Sequence, residues 1–261
     1  MNNAVKSVPD ALRRFFAEHP RLALAFSGGC DSAYLFYAAA ACGVELGVYY
    51  VHSCFQPAFE LEDARRLACQ LGRELHVIEA DVLADADVRR NPADRCYFCK
   101  KRIFTAILDA AQADGYTTVI DGTNASDDAS DRPGMRALRE MRVLSPLRLC
   151  AITKAQVREL SRQAGLFTWN KPAYACLATR VPTDTPIMLE MLQRVERAEN
   201  TLFALGFSNF RVRLNGRGAR LELAQEQMAL ALEKREEILA ALDRDFQEIT
   251  LNLRPRKGLE G

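Results

Sequence analysis

Apolar positions fall into two alternating rhythms along the first two thirds of the chain. Short apolar runs bounded by turn residues read as strands: "LALAF" from Leu22 to Phe26, "VELGVYYVH" from Val44 to His52, "ELHVIEAD" from Glu74 to Asp81 and "TTVIDG" ending at Gly122. Between them lie helical spacings, as in "AFELEDARRLACQLG" and the stretch from about Phe98 to Ala113, and a short amphipathic helix from Asp10 to His19 precedes the first strand. "RVLSPL", from Arg142 to Leu147, reads as another strand. The alternation predicts an α/β fold, a doubly wound parallel sheet with helices on both faces. After Gly165 the rhythm breaks into "LFTWNKPAYACLATRVPTDTP", an irregular segment with three prolines. Beyond it the pattern predicts a helix (Ile187 to Leu205), strands "FRVRLNG" and "ARLELA", a helix (Gln225 to Leu242) and a last strand "EITLNL". The expected division is a large α/β domain over residues 1–180 and a small α+β domain over residues 181–261.

The link from the first strand to the Ala-rich segment after it is "SGGCDS". A phosphate site at a strand's carboxyl end needs glycines for close backbone approach and a following helix whose free N–H groups face the anion. In that arrangement Ser27, Gly28 and Gly29 wrap the phosphate, Ser32 adds a hydroxyl and Asp31 is placed to hold Mg²⁺. No Gly-Lys-Ser/Thr follows, so this is not a Walker loop. The bland alternative is a strand-to-helix turn with Ser or Asp as a cap. The motif resembles the PP-loop of the ATP pyrophosphatase superfamily, with its adenine nucleotide alpha hydrolase-like fold. That resemblance implies cleavage of ATP between the α and β phosphates, giving an adenylated substrate and pyrophosphate. "DGTNASDD" repeats the situation at another strand end: Asp121, Gly122, Thr123, Asn124 and Asp127 are expected beside the first loop, with Asp127 a second carboxylate for Mg²⁺. Alone, that segment is an everyday turn.

Charge narrows the ligand. Among 261 residues, 35 Lys and Arg face 34 Asp and Glu, a formal charge of +1, and from Leu177 on there are 13 basic and 13 acidic residues. No electrostatic footprint for nucleic acid or an anionic membrane follows, which points to a small-molecule ligand. "MNNAVKSVPDALRRFFAEH" lacks the apolar core of a signal peptide, and no run approaches the ~20 apolar residues of a membrane span. The expected location is cytoplasmic, where the eight cysteines stay reduced and a close pair reads as metal or redox chemistry.

"RCYFCKKR" places Cys96 and Cys99 at a helix start beside Arg95, Lys100, Lys101 and Arg102, which favour thiolates. Cys176, in "KPAYACLATR", is the natural third ligand. Three thiolates would leave one iron of a [4Fe–4S] cluster open to an exogenous sulfide. Structural zinc is the alternative, although a second C-x-x-C or paired histidines would suit it better; a dithiol redox pair is another. Cys30, Cys42, Cys54, Cys69 and Cys150 read as small packing residues.

Together, "SGGCDS", "RCYFCK", "GTNASDD", "KPAYACLATR" and "FRVRLNGRGARLEL" resemble the LarE-type sulfur transferases over nearly the whole chain, "ACLATR" being the most specific match. These enzymes help build the nickel-pincer nucleotide cofactor of lactate racemase. The resemblance implies a pyridinium-3,5-dicarboxylate mononucleotide substrate whose carboxylates are adenylated in turn and converted to thiocarboxylates, with ATP and Mg²⁺ as cofactors, a sulfide donor and a homo-oligomer. Some members of the family sacrifice the sulfur of the "ACLATR" cysteine and leave dehydroalanine; others carry three cysteines and are thought to relay sulfide through a cluster. With all three present, the cluster route is expected, Cys176 being a ligand, and sacrificial donation from Cys176 is second.

The mononucleotide carries a phosphate. Arg211 and Arg213, two apart on a strand, project to one face and can fork onto it, and Arg180 can join them. Without the resemblance they read as a solvated strand face paired with acids. Tyr97 either stacks on the pyridinium ring or packs on the sheet, and Trp169 is a loop anchor or a pocket wall. Competing readings are a tRNA-thiolating PP-loop enzyme, which the neutral C-terminal region disfavours, an ammonia-dependent amide synthetase, which leaves the three cysteines idle, and a nucleotide-binding sensor without catalysis.

Overall fold

The computed structural model describes residues 8–127, 133–171 and 174–256. They fall into two compact units, one of Met1–Ser53, Ala58–Val82 and Asp94–Lys171, the other of Cys54–Pro57, Leu83–Ala93 and Pro172–Gly261.

In the first unit β1 (Arg21–Ala25), β2 (Glu45–His52), β3 (His76–Glu79) and β4 (Val119–Asp121) form one parallel sheet in the order β3-β2-β1-β4. The helices are α1 (Asp10–Glu18), α2 (Cys30–Ala41), α3 (Ala58–Gln70), α4 (Arg95–Ala113), α5 (Pro133–Glu140) and α6 (Lys154–Gln163). Alternation along β1 explains the two layers. Leu22 and Leu24 point into a core with Ala33, Phe36 and Leu67 of α2 and α3, whereas Ala23 and Ala25 meet Phe104 and Ile107 of α4 on the opposite face. Both faces are therefore covered, as the sequence rhythm predicts, and α2 is apolar nearly all round because it is buried. The chain order reverses at β1, whose neighbours are β2 and β4, so the crevice at the carboxyl ends of β1 and β4 is the place where such sheets bind ligands.

"RVLSPL" is not a strand. Leu144 makes one bridge to Ile120, donating to Val119 O and accepting from Asp121 N, before Pro146 opens a one-turn helix, Pro146–Leu149. Arg142 at φ +55° breaks the extended run on one side, and proline, preset for a first helical turn, ends it on the other.

In the second unit α7 (Leu189–Ala204) lays Leu192, Val195, Ala198 and Leu202 against a three-stranded sheet of β5 (Arg211–Asn215), β6 (Gly218–Glu222) and β7 (Ile249–Leu251), in that order. β5 and β6 are antiparallel, β6 and β7 parallel. The helix expected over Gln225 to Leu242 is divided: a 3₁₀ turn leads into Met228–Glu233, and α8 (Arg235–Leu242) begins after Lys234 leaves helical geometry at φ −90°, ψ 19°. Among the described residues no helix is long and apolar enough to cross a membrane.

Candidate active site

The Ser-Gly-Gly loop is built by side chains that fold back on it. Gly28 sits at φ +72°, where a Cβ would be strained, while Gly29 caps α2 with extended backbone. Ser32 Oγ accepts from Ser27 N at 3.3 Å and lies 2.9 Å from Ser27 Oγ, closing the loop over the first turn of α2. A Cβ on Gly29 would meet only Ser27 Oγ, at 3.5 Å. Packing within the protein therefore does not demand a glycine there.

Gly122 is different, and it brings the second motif to the first. A Cβ at this position would lie 2.7 Å from Ser32 N and 2.8 Å from Ser32 Cα, so only glycine lets the end of β4 seat on the backbone of α2. Beyond it, Asn124 is 2% exposed; its amide donates to Asp31 Oδ1 at 3.2 Å and its side-chain carbonyl accepts from Ser126 N at 2.8 Å. Asp121 is buried and accepts from Thr123 Oγ1 and Ser145 Oγ, both at 2.6 Å, which fixes Thr123 at the crevice rim. Ser27, Gly28, Gly29, Asp31, Ser32, Gly122, Thr123 and Asn124, all expected at a nucleotide site, thus belong to one crevice.

Two lysines join it that the sequence did not single out for this role. Thr153 and Gln156 form a capping box that starts α6 and sets Lys154 in its first turn. Lys154 Nζ donates to Asp31 Oδ2 at 2.6 Å. Lys171 Nζ lies 2.7 Å from Asp63 Oδ2 and 3.3 Å from Gly28 O, so it too faces the loop.

The expected metal ligands are engaged otherwise. Asp31 holds Lys154 and Asn124, and Asp127 Oδ2 caps the turn by accepting from Asn124 N at 2.9 Å. Cys96 and Cys99 are one turn apart at the start of α4 in the first unit, Cys176 belongs to the second, and among the described residues no group of three His, Cys, Asp or Glu is gathered to hold a metal ion. Tyr97 donates to Glu140 at 2.7 Å, and the Arg136 guanidinium lies 4.1 Å from its ring centroid. Trp169 is 40% exposed, and its carbonyl accepts from Arg158. Cys30 is buried against Ser161, and burial pushes its thiol above the usual range, as it does those of Cys42 and Cys150. These three behave as packing residues.

In the second unit the segment bearing Cys176 is held by Arg180. That guanidinium is fully buried: it forks onto Glu199 at 2.9 and 3.0 Å and donates to the carbonyls of Ala175 and Cys176 at 2.5 and 3.2 Å. Glu199 also accepts from Tyr174 Oη and Val212 N. The structure thus gives Arg180 partners other than a phosphate. We expect Arg180→Met to cost about 3 to 5 kcal/mol of stability by stranding the Glu199 carboxylate, a drop that thermal unfolding would register. Arg211 lies over the Tyr174 ring at 5.2 Å; burial, with Arg180 and Arg256 nearby, pushes its guanidinium down to about 10. Arg213 binds Glu222 at 2.8 Å and the Thr179 carbonyl. Burial raises the Glu222 carboxyl, but the hydrogen bonds from Arg213 and Arg220 outweigh it and hold it below the usual range.

No family model matches the chain. An uncharacterized protein of Synechocystis is 39% identical over 228 residues, 86% of this chain and 84% of that protein. The pyridinium-3,5-bisthiocarboxylic acid mononucleotide synthase of Lactiplantibacillus plantarum is 31% identical over 236 residues, 89% of this chain and 86% of that enzyme. An uncharacterized protein of Methanocaldococcus jannaschii is 28% identical over 90% of both chains.

Proposed function

Because the chain belongs to the family of the Lactiplantibacillus plantarum pyridinium-3,5-bisthiocarboxylic acid mononucleotide synthase, the LarE-type sulfur transferases, we propose that it adenylates the carboxylates of pyridinium-3,5-dicarboxylate mononucleotide with ATP and replaces an oxygen of each by sulfur. A carboxylate is a poor electrophile because its leaving group would be oxide; adenylation replaces that with AMP. The crevice at β1 and β4 suits this step. Charge develops on pyrophosphate, where the α2 N-terminus and the loop amides face it, and Asp31 is the carboxylate that would hold the Mg²⁺ accompanying the triphosphate.

Sulfur transfer then runs through Cys176. Its thiolate attacks the acyl carbon, the bond to AMP breaks and AMP leaves with the electron pair, giving a thioester. Loss of the Cα proton to a base and cleavage of Cβ–Sγ release the thiocarboxylate and leave dehydroalanine. Water must be kept away, since the adenylate hydrolyses readily. The Arg180 contacts to the Ala175 and Cys176 carbonyls support this by fixing the backbone that presents the thiol. Arg211 and Arg213 are the side chains proposed for the substrate phosphate, where an anion would relieve the crowding of guanidiniums around Arg211. Sulfide supplied from outside through a three-cysteine cluster is the other route that the sequence offers.

The observation that carries the nucleotide half is Gly29, a glycine that the protein's own packing does not require, at the positive end of α2. Gly29→Ala is expected to leave stability within about 0.5 kcal/mol and to slow substrate-dependent pyrophosphate release by more than about tenfold, because the methyl fills the space where a phosphate approaches. An unchanged rate would remove the loop from the reaction.

A further inference from the structure

Positive charge is in surplus around β5. Glu222 pairs with Arg213, Arg220 and Arg256 at 2.8, 3.1 and 3.7 Å, and Glu199 is filled: its Oε1 accepts from Arg180 and Val212 N, its Oε2 from Arg180 and Tyr174 Oη. Two donors exhaust the lone pairs of each oxygen. Both carboxylates are thus committed before Arg211, 7% exposed, is counted. An aromatic face meets its charge instead. The Tyr174 ring lies 5.2 Å from the Arg211 guanidinium and 4.7 Å from that of Arg180, and a cation over such a face is held by the ring's electron density. The ring is itself anchored, by its hydroxyl on Glu199 and by packing at 6.4 Å with Phe203, which meets Phe210, the residue before Arg211, at 4.7 Å. Tyr174 therefore stands two residues from Cys176 in sequence and against an arginine proposed for the phosphate.

We propose that Tyr174 is a positioning residue for the substrate's phosphate: its ring holds the Arg211 guanidinium in place, and so makes the enzyme select a mononucleotide over the corresponding nucleoside. The proposal rests on the reading of Arg211 and Arg213 as the phosphate side chains. A guanidinium that must fork onto a phosphate loses affinity when its long stem is free to wander, and a fixed ring removes that freedom. Burial, with Glu199 beside it, pushes the Tyr174 hydroxyl well above its usual range, so the ring stays neutral and sets no negative charge against the phosphate. The hydroxyl serves Glu199 and the ring serves Arg211. A mere brace of the Arg180 and Glu199 pair would need only the hydroxyl, which makes the two roles separable by substitution.

The test is steady-state kinetics of pyrophosphate release by the full-length protein, with pyridinium-3,5-dicarboxylate mononucleotide and with the nucleoside left when its phosphate is removed, for wild type, Tyr174→Leu and Tyr174→Phe. Wild type is expected to favour the mononucleotide by at least about a hundredfold in kcat/KM, the scale of paired charge-assisted hydrogen bonds. Tyr174→Leu is expected to shrink that preference by about tenfold, the scale of a lost cation–ring contact, chiefly through KM for the mononucleotide, whereas Tyr174→Phe keeps it within about twofold. Equal losses on both compounds in Tyr174→Leu, or a preference lost as fully in Tyr174→Phe, would overturn the proposal by reducing Tyr174 to a brace of Glu199. Should Tyr174→Leu fail to fold, Tyr174→Met carries the same comparison. A wild type that turns over neither compound overturns the adenylation reading, and one that turns over both alike overturns the phosphate assignment. A wild type that discriminates, with its full preference kept in Tyr174→Leu, overturns only this inference.

Discussion

Replacing Cys176 by alanine is expected to abolish thiocarboxylate formation, by at least about a thousandfold, while substrate-dependent pyrophosphate release continues. The two halves separate because they use different residues. Asp31, Gly29 and Gly122 belong to the crevice of the parallel sheet in the first unit, and Cys176 to the second. The variant should fold, since Arg180 binds backbone carbonyls of the cysteine segment and those remain. It should also accumulate AMP with unchanged substrate, because an adenylate without a sulfur acceptor is lost to water. Retention of sulfur transfer would take Cys176 out of the mechanism. The same variant, with Cys96→Ala and Cys99→Ala, decides the source of the sulfur. About four irons and matching acid-labile sulfide after anaerobic reconstitution, lost in each variant, would establish the three-cysteine cluster. Iron-free protein, active for a single turnover of Cys176, would establish the sacrificial route.

The second large effect is expected at Asp31, where alanine should reduce pyrophosphate release by at least about a hundredfold. Asp31 lies in the first turn of α2 and holds Lys154 and Asn124. Its loss removes the carboxylate proposed for Mg²⁺ and leaves Lys154 without its partner. The stability cost should stay near about 1 kcal/mol, because the Asp31 to Lys154 pair is only partly buried, at 24% and 22% exposure. Pyrophosphate release coupled to a chromogenic assay, with the unfolding temperature measured beside it, separates the two effects. An active Asp31→Ala protein would contradict the placement of the reaction at this loop.

Much of this was readable from the chain because local and tertiary signals agree. The run Leu22 to Phe26, the glycines after it and the Ala-rich helix specify a strand, a turn and a buried helix in the order the structure shows. The position of "DGTN" beside the first loop was readable by its place after an apolar run, but the reason for Gly122 was not: its contact with the Ser32 backbone joins positions far apart in sequence. Lys154 and Lys171 were missed as crevice residues for a related reason. A lysine in the first turn of a polar helix looks like a solvated residue, and only the packing of α6 on α2 sets it against Asp31. The partner of Arg180 was not legible either: Glu199, within α7, lies 19 positions away and pairs with it out of solvent. "RVLSPL" misled because apolar content outweighed the signal of Pro146, which starts a helix instead of continuing a strand.

The most direct measurement is mass spectrometry of the small molecules and of the intact protein after incubating the full-length chain with pyridinium-3,5-dicarboxylate mononucleotide, ATP and Mg²⁺. The account predicts a nucleotide in which sulfur has replaced one carboxylate oxygen, AMP and pyrophosphate formed in equal amounts with it, and, in iron-free protein, a chain lighter by the elements of hydrogen sulfide, lost from Cys176. An unmodified nucleotide, with ATP intact or cleaved to ADP, would contradict it.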